Sequence, residues 1–488
     1  MIGVLPKAGQ ERVVEEFFEL FKTPWEIYRP GRTYDVIIAT AADVPHVRAS
    51  LLVAYDADVK NLEPDARTVR VGYDLFEEVR TLLTAGQPPE RAHVPALDGY
   101  IDALRTWMKE AGVTFVEIPP APAGRDCTVC LTHDIDFVGI RRHLFDHTMW
   151  GFLYRSTIGA FRKYLHGRLT VGRLLASWRA AASLPFVYLG WARDFWDPFD
   201  WYLGVEAQLP ATYFLIPCKR RQGDRVPGPH AHRRATAYDV LDIADAAKRL
   251  IERGCEVGVH GIDAWTDAGR GTLELRRVAG VTGQRSVGIR MHWLLGDRGT
   301  ASKLEHAGYS YDATSGYNET IGYRNGTTQP FRPLTVHTLM ELPLHIQDGA
   351  LFYPHNLDLD ADEAAARCRA LIEHARSAGG VLTILWHDRS HAPERFWGDF
   401  YVALVGSLRA SNVWFATASQ AVGWFRARRQ VRFERVDGGH GTGVRVRCDA
   451  RPIHPPLVLR RHHGTRSVDA PWDGASAVDV APALPIAS

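Results

Sequence analysis

Hydrophobic and polar positions change their period several times along the chain. Val14, Phe17, Phe18, Leu20 and Phe21 recur at helical spacing, which predicts an N-terminal helix. The apolar run 34–40 then predicts a short strand. From about 125 to 425, short apolar runs alternate with stretches of 3.6-residue period. The runs cover 128–135, 211–216, 256–259, 287–291, 339–346 and 381–385. Helices are expected over 238–252, through Val240, Leu241, Ile243, Ala246, Leu250 and Ile251, and over 361–378. Such alternation predicts βα units around a parallel sheet or barrel. After about 430 the period falls to two, over 431–436 and 444–448, which predicts a short β-rich module. The last twenty residues, rich in Ala and Pro, read as a loose tail. Pro119, Pro120 and Pro122 mark 118–124 as a linker.

Length and composition narrow this picture. The chain has 488 residues, enough for two or three domains at roughly 150 residues each. A composition 46% hydrophobic and 23% charged excludes disorder, collagen and coiled coil as the main architecture. Six cysteines are too few for a disulfide scaffold. The segment 1–18 lacks the charged and apolar regions of a signal peptide, and no run of about 18 apolar residues is present. The expectation is a cytoplasmic protein.

The strand ends carry the candidate chemistry, because catalytic groups of α/β barrels gather at strand C-termini. The first run ends Thr132-His133-Asp134-Ile135-Asp136. Two carboxylates at i and i+2 share a strand face and need a cation or a shared proton between them. Alternatively they are turn or helix-capping carboxylates. The third run ends with His260 and Asp263, and the fourth with Arg290 and His292 on one face. The last ends Leu385-Trp386-His387-Asp388, where His387 can titrate near neutrality. Each residue alone reads as well as a structural group; four polar strand ends in one region favour a site.

These segments, with Ala211-Thr212-Tyr213-Phe214-Leu215 and Tyr309-Ser310-Tyr311-Asp312-Ala313-Thr314, resemble the motifs of the polysaccharide deacetylase family (NodB homology, carbohydrate esterase 4-like) in order and spacing. The resemblance covers about 127–425. It implies a distorted (β/α) barrel, here over 123–428, with an N-terminal α/β module at 1–122 and a β-rich module and tail at 429–488. It implies a metal-dependent hydrolase that removes an acetyl group from an acetylated sugar or glycan. Asp134 then corresponds to the general base, Asp136 and His260 to metal ligands, Arg290 to the base-orienting arginine and His387 to the general acid. Asp348 corresponds to the acidic partner of His387, with Glu341 as a rival. The family's second metal histidine falls on Ala264 here, so His292 is expected to replace it, with Asp263 competing. Zinc suits this ligand set best, and cobalt, iron and manganese suit mixed N/O ligands too. The missing histidine also leaves open a non-catalytic carbohydrate-binding pseudoenzyme.

Other features have ordinary readings. His133 and His345 read as hydrogen-bonded barrel histidines. Cys127 and Cys130 face opposite sides of a strand and read as buried, inert thiols. Trp191, Trp196 and Trp201 could stack on sugars or pack an insertion. Between the first two runs, 141–180 carries eight Lys/Arg and one acid, Asp146, with interleaved aromatics. This reads either as a contact to a membrane surface, a lipid-linked or an anionic substrate, or as a solvated lid. The formal net charge of +2 hides +7 here and +8 over 421–466, balanced by −13 elsewhere. A near-neutral total gives no support to a nucleic-acid partner.

Overall fold

A computed structural model describes residues 1–41, 49–56, 67–438, 441–449 and 452–480. Its centre is a sheet of all-parallel strands built from the predicted apolar runs, with Tyr311–Asp312 and Val413–Phe415 added to them. Cys127–Ile135 is buried along its whole length, as a strand covered on both faces must be. Beside it run Ala211–Leu215, Glu256–Gly261, Ile289–Met291, Tyr311–Asp312 and Met340–Glu341 in chain order. On its other side lie Val381–Leu385 and then Ile346–Gln347, with Val413–Phe415 pairing its first residues. Helices such as Ala268–Thr282, Ala361–Ala378 and Gly398–Arg409 connect these strands. The fold is α/β, a distorted (β/α) barrel with flanking modules, as expected.

Register places the polar strand ends level with one another. Ile135 pairs with Leu215, which pairs with Val259, so Asp136 and His260 each follow one residue later. His260 pairs directly with Arg290. Leu385 pairs with Thr132, which brings His387 to the level of Asp134.

Several element boundaries differ from expectation. The run 339–346 forms two separate two-residue strands, because Pro343 lies between them and has no N–H for the ladder. The fourth strand is shorter than 287–291 and begins at Ile289. The helix expected over 238–252 begins as a 3₁₀ turn, Val240–Ile243, capped by Asp239. The tail forms strands Arg466–Trp472 and Val478–Val480, because period-two apolar residues there find cross-strand partners; 481–488 lie outside the described residues.

The segment 118–124 is no open spacer. Ile118, Pro119 and Pro120 are buried, and Ala123 N donates to Pro456 O. Strand Thr114–Glu117 ahead of it pairs with C-terminal strand Leu457–His463. Glu117, 1% exposed, is held there between Arg105 and His462. The N-terminal part forms its own five-stranded parallel sheet, with Val36–Ala39 at its centre and a core around Phe17, Phe18 and Phe76. Arg428, 1% exposed, donates to the carbonyls of Ile118, Glu19 and Leu20, tying the last barrel helix to that part.

Candidate metal centre

Three side chains converge where the first, third and fourth strands end. Asp136 Oδ1 lies 3.3 Å from His260 Nε2 and 3.1 Å from His292 Nδ1. The two nitrogens are 2.9 Å apart. These edges are close to those of donors sharing one small cation, since bonds of about 2.1 Å in a tetrahedral site put ligands about 3.4 Å apart. Among the described residues this is the one His/Cys/Asp/Glu group with metal-ligand spacing. Asp136 Oδ1 is buried and accepts no hydrogen bond, so an electron-rich oxygen faces two imidazoles without a proton to hold it. His260 Nδ1 lies 3.1 Å from Arg290 O, which requires a proton on Nδ1 and leaves the Nε2 lone pair facing Asp136. Burial lowers His292 to a pKa of about 4, so at neutral pH it is an unprotonated donor. The donor set therefore fits a divalent metal.

Of the two candidates for the place left by Ala264, the geometry brings in His292. Asp263 points elsewhere: it accepts from Asp224 N at 2.9 Å and pairs with Arg270 at 3.2 Å. His292 stands at a strained turn, followed by Trp293 (φ 64°) and Leu294 (φ 52°), both left-handed. Non-glycine residues reach that region at a cost of about 1–2 kcal/mol each. Arg234, fully buried, fixes the turn by donating to His292 O and, from the same guanidinium, to Gly261 O and Ile262 O.

Asp134 sits beside this group, with Oδ2 3.9 Å from His260 Nε2. Its other oxygen accepts from Arg290 at 3.0 Å. Arg290 is held in turn by Thr132 Oγ1 at 2.8 Å, by Ala313 O at 2.9 Å and by the face of Phe214. Across the mouth, His387 Nδ1 is 2.5 Å from Asp348 Oδ1, and His387 N donates to Asp348 Oδ2 at 2.8 Å. Ser390 also donates to Asp348. Burial disfavours the imidazolium, but the Asp348 charge and hydrogen bond raise His387 to about 10. Glu341 is not the partner: it accepts from Ser315 N and lies against Asp312, where burial and that second carboxyl push it well up. Asp134, Asp136, His260, His292 and His387 all line one cavity of about 430 Å³.

Two further residues support the site. Arg234 ends a short 3₁₀ turn, Ala231–Arg234, which carries no periodic signal in the sequence. Asp388 follows His387 just past strand Val381–Leu385. It is 1% exposed and accepts from Phe137 N at 3.0 Å and Asp136 N at 3.4 Å, fixing the backbone beneath Asp136. The strand-end position of Asp388, next to His387, was the available signal. The ordinary readings of other residues agree with their surroundings. His133 bonds Trp386 O and Glu206, and His345 bonds Thr327 O and Thr383 N. Cys127 and Cys130 are buried on opposite faces in separate core clusters. Trp196 is fully buried and Trp201 stacks on His391, so both pack the insertion, while Trp191 is 76% exposed.

No family model matches the sequence, and no curated protein matches it. Among solved structures, the chain is similar to a Mycobacterium smegmatis protein described as a polysaccharide deacetylase. Identity is 20%, over 64% of this chain and 95% of that one, with a TM-score of 0.37. A Pseudomonas aeruginosa PAO1 protein described in the same way shares 14% identity over 63% and 94%, with a TM-score of 0.39. Puue allantoinase shares 13% identity over 63% and 93%, with a TM-score of 0.39. The structural neighbours of this chain, at low identity, thus include polysaccharide deacetylases.

Proposed function

We propose that this chain is a metal-dependent hydrolase that removes an acetyl group from an acetylated sugar or glycan, an amino sugar being the preferred class. The observation that carries this reading is the meeting of the Asp136–His260–His292 triad, the Asp134–Arg290 pair and the His387–Asp348 pair around one cavity. The unit that performs the chemistry is 123–428, with 1–122 and 429–488 as flanking modules.

A divalent ion held by Asp136, His260 and His292, zinc first and cobalt, iron or manganese next, supplies Lewis acidity toward water and the acetyl carbonyl. Asp134 takes the proton of the attacking water at Oδ2, the oxygen that Arg290 leaves unengaged. Arg290 fixes the rotamer of Asp134 through its bond to Oδ1. His387, protonated against Asp348, gives its Nε2 proton to the departing nitrogen or oxygen. Arg234 and Asp388 hold the backbones of His292 and Asp136 against drift.

Acetate release from a panel of N- and O-acetylated saccharides tests the reading. Metal-loaded wild-type protein is expected to release acetate from at least one of them. Asp134→Asn is expected to lower the rate by about 10²–10⁴-fold with metal content unchanged. Release equal in wild type and Asp134→Asn would contradict the assignment. No release from any member, with glycan binding unchanged in Asp136→Ala, would replace it with the pseudoenzyme reading.

A further inference from the structure

Fourteen of the twenty large hydrophobic side chains exposed among the described residues fall within 144–191. Scattered singly, exposed apolar residues mean little; concentrated in one patch, they mark a contact surface. Here they are ordered. Helix His147–Tyr154 continues through a π turn, Arg155–Gly159, into Ala160–Leu165. Trp150, Tyr154, Ile158, Phe161 and Leu165 are exposed along it at steps of three and four residues. Helix Val171–Tyr188 buries Leu174, Ala180, Leu184 and Val187 against the protein. On its outer side it exposes Val171, Leu175, Trp178 and Phe186, again at helical spacing, and Leu189 follows. A helix with one apolar stripe inward needs no second stripe in water. The stripes meet: Phe161 and Trp178 lie 6.3 Å apart, and Phe186 lies 6.2 Å from Trp191.

Charge says what covers this face. Within 141–180 there are eight Lys/Arg against one acid; Arg142, Arg168 and Arg173 pair with Asp242, Asp358 and Asp399 of other segments, which leaves the rest to set the charge of the outer face. That acid, Asp146, is used as a helix cap, accepting from Thr148 N and Met149 N at 2.9 Å. Arg162 is exposed and donates to the Tyr154 hydroxyl rather than to a carboxylate, and Arg179 is exposed on the outer helix. A second copy of the chain on the same patch would bring these like charges together. An anionic lipid surface instead matches both the aromatic stripe and its basic border. No helix of the described residues is long and apolar enough to cross a membrane, so the contact lies in the plane of the interface.

We propose that 144–191 is an interfacial docking element that seats the protein on anionic phospholipid bilayers. Its packing ties it to the mouth of the candidate site. The insertion begins directly after Asp136, and Ser177 donates to Pro393 O while Trp196 donates to Glu394. The stretch they bind, 389–395, contributes Arg389 and Arg395 to the cavity of the metal centre. A docked molecule therefore presents that cavity close to the lipid headgroups.

Co-sedimentation of the full chain with phosphatidylcholine vesicles, with and without phosphatidylglycerol, tests this. Wild-type protein is expected to sediment with the anionic vesicles and to do so less at raised salt. Trp150→Ser/Phe161→Ser/Trp178→Ser is expected to weaken binding by about tenfold or more, with its circular dichroism and metal content unchanged. Arg162→Glu/Arg179→Glu is expected to lose the preference for phosphatidylglycerol. Absence of wild-type binding to anionic vesicles would overturn the proposal. So would a solution dimer that the triple aromatic substitution dissolves, because the patch would then be a protein interface. Neither result bears on acetate release, so the two proposals fail separately.

Discussion

At the scale of single residues, protonation is set by partners a few ångströms away. His387 has the largest consequence. Its pKa rises from the ordinary 6.5 to about 10 because the Asp348 charge outweighs the cost of burial. A histidine raised on folding stabilises the protein fully below about pH 6.5, and that contribution disappears as pH climbs through about 10. Wild-type protein should therefore lose on the order of a few kcal/mol of stability over that range. Asp348→Asn should start lower and show a flatter profile, as read by urea unfolding at several pH values. An equal slope in both proteins would remove the ion pair from the account. The same residues show what the sequence could reveal. Asp134, Asp136, His260, Arg290 and His387 announced themselves as polar ends of apolar runs. Arg234 could not, because its value lies in reaching four backbone carbonyls, of Gln222, Gly261, Ile262 and His292, from a short 3₁₀ turn.

At the scale of elements, close packing of strands fixes where those residues end up. Gly288 immediately precedes the fourth strand, and a Cβ there would meet the Tyr311 ring at 2.0 Å. Tyr311 is held behind it by Glu256 at 2.8 Å and is fully buried. Neither the ring nor the strand has room to move apart, so Gly288→Ala should destabilise the protein by about 1–3 kcal/mol. The displaced strand carries Arg290 and leads into His292, so metal affinity should fall in the same variant. Isothermal titration with zinc beside thermal unfolding checks both, and unchanged values in both would contradict the packing argument. Strands long enough to show an apolar run were legible in the sequence: 128–135 matches Cys127–Ile135 to within a residue. The two-residue strands Met340–Glu341 and Ile346–Gln347 were not, because Pro343 interrupts a pattern too short to display a period.

At the scale of the whole molecule, the three regions with different textures are bound by contacts that no local pattern encodes. Strand Thr114–Glu117 completes a sheet with a hairpin more than three hundred residues later. Glu117 there is depressed to about 2: burial opposes its charge, and Arg105 and His462 outweigh that. The prolines of 118–124 suggested a spacer because composition reports stiffness, not burial. The sequence also balanced two readings of 141–180, a surface contact and a packed lid. Helix Val171–Tyr188 has one stripe packed inward with Ile140, Met149, Phe152 and Trp196 and a second stripe in solvent. That dual face is invisible to a count of charges and aromatics.

For the site to work, three side chains from three strand ends must act as one ligand set. Metal analysis by mass spectrometry on purified wild-type protein, beside His292→Ala and Asp136→Ala, tests this most directly. The prediction is close to one divalent ion per chain in the wild type, lost in both variants while the fold is retained. A folded wild-type protein that binds no divalent metal, or a His292→Ala protein that keeps a full equivalent, would contradict it.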